Sequence, residues 1–142
     1  MHKVNELLRS KGNVVHTTTL DATALAAAQK MNDHRIGALV VAEGGRIAGI
    51  ITERDMLTRV IAGQLSPAQT RVADVMTRDV LTCTPDTDIS ELRALMRERR
   101  IRHVPVVDRG GLAGMVSIGD LNFAETQNLT QTIGYLEQYI AG

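Results

Sequence analysis

Slid along itself by 65 positions, the chain aligns Val15–Asp55 with Val80–Asp120 without a gap, and 12 of the 41 paired positions are identical. Unrelated segments of average composition match at roughly one position in sixteen, so the chain carries an internal duplication. The identities are Val15/Val80, Thr17/Thr82, Thr19/Thr84, Asp21/Asp86, Met31/Met96, Arg35/Arg100, Ile36/Ile101, Val41/Val106, Gly45/Gly110, Ala48/Ala113, Gly49/Gly114 and Asp55/Asp120. Whatever fold one copy adopts, the other must adopt too. A unit of about 60 residues with a small sheet is marginal by itself, so the copies are expected to share one domain.

Each copy has the same coarse order. A short strand ("VVHTTT", "VLTCT") precedes a helix ("ATALAAAQKMNDHR", "ISELRALMRERR"). In the second helix Ile89, Leu92 and Met96 fall on one face, and Asp88 with Glu91 predicts a capping box. Two apolar strands follow around a glycine turn: "ALVV", "EGGR", "IAGII", then "VPVV", "DRGG", "LAGMV". A last helix starts near Thr52 or Ser117 and in the first copy carries Met56, Leu57, Val60 and Ile61. The order β-α-β-β-α, twice, predicts an α+β fold in which two repeats pack sheet to sheet about a pseudo-twofold axis. Residues 1–66 read as the first repeat with its N-terminal segment and 67–126 as the second, with a hinge at "AGQLSPAQTR". Residues 127–142 read as a C-terminal amphipathic helix striped by Leu129, Ile133, Leu136 and Ile140. The stripe is expected to pack on the chain's own Val4, Leu7 and Leu8, with a dimer or target contact as the alternative.

Composition narrows the functions. Sixteen acids balance sixteen scattered bases, so the chain lacks the basic footprint of a DNA- or membrane-binding surface. One Phe, two Tyr and no Trp leave few platforms for stacking single-stranded bases. No apolar run is long enough to span a bilayer and the N-terminus lacks a secretory h-region, so a cytoplasmic location is expected. Cys83 stands alone, which excludes a disulfide framework and reads as a small core residue. His2, His16, His34 and His103 share no metal-ligand spacing. Neither a nucleophile elbow, a Walker loop nor a Rossmann fingerprint is present, so no enzyme activity is expected.

The stretches that carry chemistry are "GIITERDM" and its echo "GMVSIGDL". A hydroxyl followed three residues later by an acid, ahead of an apolar run, marks a helix N-terminus. The same N-terminus can also hold a nucleotide. Its N–H groups and dipole attract phosphate, and an aspartate can accept both protons of a ribose diol. Gly49 and Gly114, three residues before the hydroxyl, would let a ligand approach the backbone.

With these motifs in order, from "VVHTTTLDATALAAAQKMNDHRIGALVVAEGGRIAGIITERDML" to "ADVMTRDVLTCTPDTDISELRALMRERRIRHVPVVDRGGLAGMVSIGDL", residues 3–124 resemble a tandem pair of cystathionine beta-synthase (CBS) domains. The resemblance implies a regulatory module that binds AMP, ADP, ATP, NAD(H) or S-adenosylmethionine between its repeats, forms homodimers and signals to an effector protein. It assigns Thr52 and Asp55, and Ser117 and Asp120, to the ligand motif. It adds "IRHVP" (Ile101, Arg102, His103, Val104, Pro105) and, in the first copy, the segment led by Ile36, Gly37 and Ala38. The segments from Lys11 to Val15 and from Thr77 to Val80 are implied to complete the cleft of the opposite repeat. The copies differ where Arg102, His103 and Pro105 face Gly37, Ala38 and Val40, and where Arg54 faces Gly119, so the two clefts are not chemically equivalent. Arg102 and His103 make the second the better phosphate site. Without aromatic residues nearby, adenine would lie among Ile36, Ile101 and Val104.

Overall fold

A computed structural model describes residues 1–141; Gly142, the last residue of the expected tail helix, lies outside the described residues. The chain runs α1 (Val4–Lys11), β1 (Thr17–Thr18), α2 (Ala24–His34), β2 (Ala38–Glu43), β3 (Arg46–Thr52) and α3 (Glu53–Asp55), which passes directly into a π-helical stretch at Met56–Ile61. It continues through α4 (Val72–Val75), α5 (Ile89–Arg99), β4 (His103–Asp108), β5 (Gly111–Ser117) and α6 (Ile118–Ala141). This is an α+β chain with two repeats.

Helices form where the apolar spacing predicts them. Ala24, Ala27 and Met31 form the buried face of α2, as Ile89, Leu92 and Met96 do for α5. Both helices stop at an arginine in the left-handed region, Arg35 (φ 54°) and Arg100 (φ 55°). The next amide reaches back five residues: Ile36 N–H to Met31 O, and Ile101 N–H to Met96 O, each at 3.0 Å. This Schellman closure falls on the identical Met, Arg and Ile of the two copies. The first hairpin turns on Gly44–Gly45 as expected, whereas the second turns one residue before its Gly-Gly pair, on Arg109–Gly110, and Gly111 already opens β5; φ is positive at all four turn residues.

Two compact units emerge, and their boundaries are not those of the repeats. One comprises residues 14–81 and 109–113; the other comprises 1–13, 82–108 and the described residues from 114 onward. In the first unit β1 pairs parallel with β2, and β2 antiparallel with β3, in the order β1-β2-β3. Its core gathers Leu39, Val41, Ile51, Val60, Val72 and Met76 beside α2. β4 and β5 form a two-stranded sheet, and the buried residues of the second unit include Val4, Leu7, Leu92, Met96, Val104, Val116 and Leu121.

Several expectations need correction. The first strand of each copy is shorter than predicted. Only Thr17 and Thr18 pair with β2, while Val14 is 74% exposed. In the second copy the strand shrinks to a single Cys83–Val106 bridge. Pro105 has no N–H to extend a ladder, so pairing there rests on Cys83 N–H to Pro105 O (3.0 Å) and Val107 N–H to Cys83 O (2.8 Å). Asp88 caps α5 by position but makes no side-chain cap, because its carboxylate pairs with Lys3 Nζ at 2.7 Å instead. The hinge is tied down: Pro67 O and Thr70 O accept Leu25 and Ala24 N–H. The last helix of the second copy and the tail are one helix, α6, so position 126 falls inside it. Leu129, Ile133, Leu136 and Ile140 are 54–83% exposed on it, whereas Val4 and Leu7 are fully buried without them. In the first copy Val60 is buried, but Leu57 and Ile61 are exposed.

Candidate functional site

In both copies a strand ends at a hydroxyl residue that turns the chain into a helix, and both form the complete reciprocal cap. Thr52 Oγ1 accepts Asp55 N–H (3.2 Å) while Asp55 Oδ2 accepts Thr52 N–H (3.0 Å). Ser117 Oγ accepts Asp120 N–H (3.1 Å) while Asp120 Oδ2 accepts Ser117 N–H (2.8 Å). Local sequence dictates this much, since each bond spans three residues.

The glycines serve a different purpose from the one expected. A Cβ on Gly49 would sit 2.7 Å from both Met76 Sδ and Thr77 O, and one on Gly114 would sit 2.8 Å from Leu8 Cδ2. The space is therefore filled by the chain itself. Behind Gly49, Ile50 and Thr77 exchange backbone hydrogen bonds at 2.9 and 2.8 Å, and that pairing carries the Thr77 side chain to Asp55.

From there the two carboxylates diverge. In the first unit Asp55 is the one buried charged residue among those described. Thr77 Oγ1 donates to Oδ1 at 3.1 Å and reaches Oδ2 at 3.3 Å, and Arg59 Nε lies 3.7 Å from Oδ1. Arg59 Nη1 also donates to Met76 O (2.6 Å) and Val75 O (3.3 Å). Thr77 is among the residues the resemblance implied, but the Arg59 part of this clamp was not foreseen from sequence; its one local signal was the i, i+4 spacing of Asp55 and Arg59. In the second unit Lys11, at the end of α1, donates from Nζ to Asp120 Oδ2 (2.6 Å) and Met115 O (2.7 Å). The Asp120 side chain keeps 23% of its exposure, and its Oδ1 makes no hydrogen bond among the described residues. The structure thus brings Lys11 to Asp120 and Thr77 to Asp55, each joining a segment from outside the repeat it meets.

The remaining expected residues lie in several settings. Arg102 is exposed and its carbonyl accepts Ile118 N–H at 2.9 Å, which holds "IRHVP" against the start of α6. Ile101 and His103 are half-buried, and Val104 and Pro105 are buried. Val104 therefore belongs to the core and offers no free surface to a ring. In the first unit Ala38 is buried and Ile36 packs on the core. Ile36 and Gly37, with Arg35, Glu53 and Met56, also line a cavity of about 620 Å³. Arg54 is exposed, and its carbonyl accepts the Thr58 hydroxyl. Val15 and Val80 are half-buried. A groove of about 550 Å³ in the second unit, between the N-terminus, α5 and α6, contains none of the expected residues.

Titration sets the remaining chemistry. Burial pushes the Cys83 thiol up to about 11, so it is no nucleophile near neutral pH. The His16 ring stacks on His34 with centroids 3.8 Å apart, a contact sequence gave no sign of. Burial first, then His34 and Lys30, lowers the His16 pKa below its ordinary 6.5. The hydrogen bond to Asp88 and its charge raise the Lys3 pKa. No group of three or more His, Cys, Asp or Glu among the described residues could hold a metal ion, and no helix among them is long and apolar enough to cross a membrane.

Comparison with known proteins places these features. The CBS domain model matches residues 6–62 and 72–125. The mitochondrial CBS domain-containing protein CBSX3 of Arabidopsis thaliana is 38% identical over 148 residues, covering 98% of this chain and 72% of the relative. Among solved structures, a CBS-domain-containing protein of Agrobacterium tumefaciens superposes with a TM-score of 0.83 at 37% identity, over 88% of this chain and 99% of the other. A CBS domain protein of Pyrobaculum aerophilum, solved in complex with AMP, superposes with a TM-score of 0.74 at 26% identity, over 83% and 88%.

Proposed function

The chain belongs to the CBS-domain family, and from that premise we propose that it is a non-catalytic regulatory module that binds an adenine nucleotide of the AMP class at Asp120. The observation that carries this reading is the contrast between two carboxylates in identical caps. Asp55 spends both oxygens on the chain, whereas the Asp120 side chain is partly exposed and its Oδ1 accepts no hydrogen bond among the described residues, so it can accept a ribose hydroxyl. Lys11 beside it and Arg102 at the same end of β4 supply positive charge for a phosphate. The AMP held by the Pyrobaculum aerophilum protein supports this ligand class. Bound nucleotide would favour one conformation of the chain over another, and a homodimer partner or an effector protein would read that shift. A compartment with free adenine nucleotides, such as the cytoplasm, suits this role.

A second reading is a constitutive scaffold, and the completeness of both capping boxes favours it, since capping alone accounts for Thr52, Asp55, Ser117 and Asp120. Thermal melting with AMP decides between them, using protein freed of copurified ligand. AMP at 100 times its dissociation constant should stabilise the chain by about 2.7 kcal/mol. Asp120→Asn should remove that shift, and Arg102→Ala should weaken AMP more than adenosine. An unmutated protein whose melting ignores AMP is a scaffold.

A further inference from the structure

The distal half of α6 carries an apolar seam that stays more than half exposed along its length, Leu129 lying at the edge of the groove beside the N-terminus. Leu129 is 58% exposed, Ile133 55%, Leu136 54% and Ile140 83%. Their spacing of four, three and four residues is the 3.5-residue repeat of a coiled-coil seam rather than the broader face of a helix lying on a core. In heptad terms Leu129 and Leu136 occupy d, and Ile133 and Ile140 occupy a. Ile at a with Leu at d is the combination that favours two parallel strands.

The chemistry of the helix selects its occupant. From Ile118 onward there is no Lys or Arg, so the helix lacks the basic flank that holds an amphipathic helix on an anionic membrane. The flanking e and g positions hold Thr130, Thr132, Glu137 and Tyr139. In a parallel pair Glu137 faces the uncharged Thr132 of the other helix, so two identical helices meet without like-charge repulsion. Gly134 and the threonines are weak helix formers, so this segment also gains most from a partner. We propose that α6 is a self-association helix whose Leu129–Ile140 seam zips in parallel register against the same seam of a second copy of this chain.

Single cysteines placed in the full-length chain test this, and the native Cys83 leaves little background because it is buried. In a parallel pair Ile133→Cys and Leu136→Cys each face their own counterpart; in an antiparallel pair each faces the other position. Gln131→Cys, at the outward f position, is the control. Under mild oxidation both seam variants should form covalent dimer about fivefold faster than the control, with circular dichroism unchanged. Equal rates for all three, or no covalent dimer from the seam variants, would overturn the proposal.

Discussion

Removing the two capping carboxylates one at a time should reveal how differently the copies use one motif. Asp55→Ala leaves the Thr52 hydroxyl cap in place but removes the acceptor of Thr52 N–H, the return half of the capping box, worth about 1 kcal/mol, and also strands the Thr77 hydroxyl, which now donates to a buried carboxylate at 3.1 Å. A hydrogen bond to a charged group contributes about 1.5–3 kcal/mol. Arg59, 48% exposed and 3.7 Å away, adds little. The sum is roughly 3 kcal/mol. Asp120→Ala loses the same return bond, from Ser117 N–H, but its other partner is Lys11, with side chains 30% and 23% exposed, and such a pair is worth about 1 kcal/mol or less. The second substitution should therefore cost roughly 1–2 kcal/mol, leaving a gap of more than about 1 kcal/mol between the two. Urea unfolding followed by circular dichroism measures both, with Lys11→Met expected to cost less than either. If Asp120→Ala destabilises as much as Asp55→Ala, the burial of Asp55 does not set its role, and the asymmetry on which the nucleotide site rests is lost.

Gly49→Ala should destabilise by about 1–3 kcal/mol, because the new methyl meets the Thr77 carbonyl as well as the Met76 sulfur; Gly114→Ala should cost less, since only the end of the Leu8 side chain must move. Urea midpoints of the two variants provide the comparison. Cys83, with its thiol pushed up to about 11, should react with iodoacetamide at pH 8 only as fast as the chain unfolds; rapid labelling of native protein would contradict its placement. The lowered His16 pKa means the unfolded chain takes up a proton near pH 6.5 that the folded chain resists. Stability should hold above pH 6.5 and decline as the pH falls through it, and His16→Gln should flatten that decline in melting curves taken between pH 7.5 and 5.5.

Much of this protein was legible in the chain. The helix faces of Ala24, Ala27 and Met31 and of Ile89, Leu92 and Met96, the turn at Gly44–Gly45, and both caps all depend on partners within a few residues, and the 65-residue offset repeats the pattern. Such bonds are set by composition at fixed spacing. Where a local signal failed, a distant group had outcompeted it: Lys3 took the Asp88 carboxylate from the end of α5, and Pro105 limited the pairing of Cys83.

The tertiary structure alone decided what the two identical aspartates do. Thr77 reaches Asp55 across 22 positions and Lys11 reaches Asp120 across 109, and no periodicity carries information over such separations. One partner is a neutral hydroxyl that seals its carboxylate in the interior; the other is an ammonium at the surface that leaves an oxygen open. The chain wrote the same cap twice, and desolvation, which depends on everything packed around a charge, made one of them structural and left the other available.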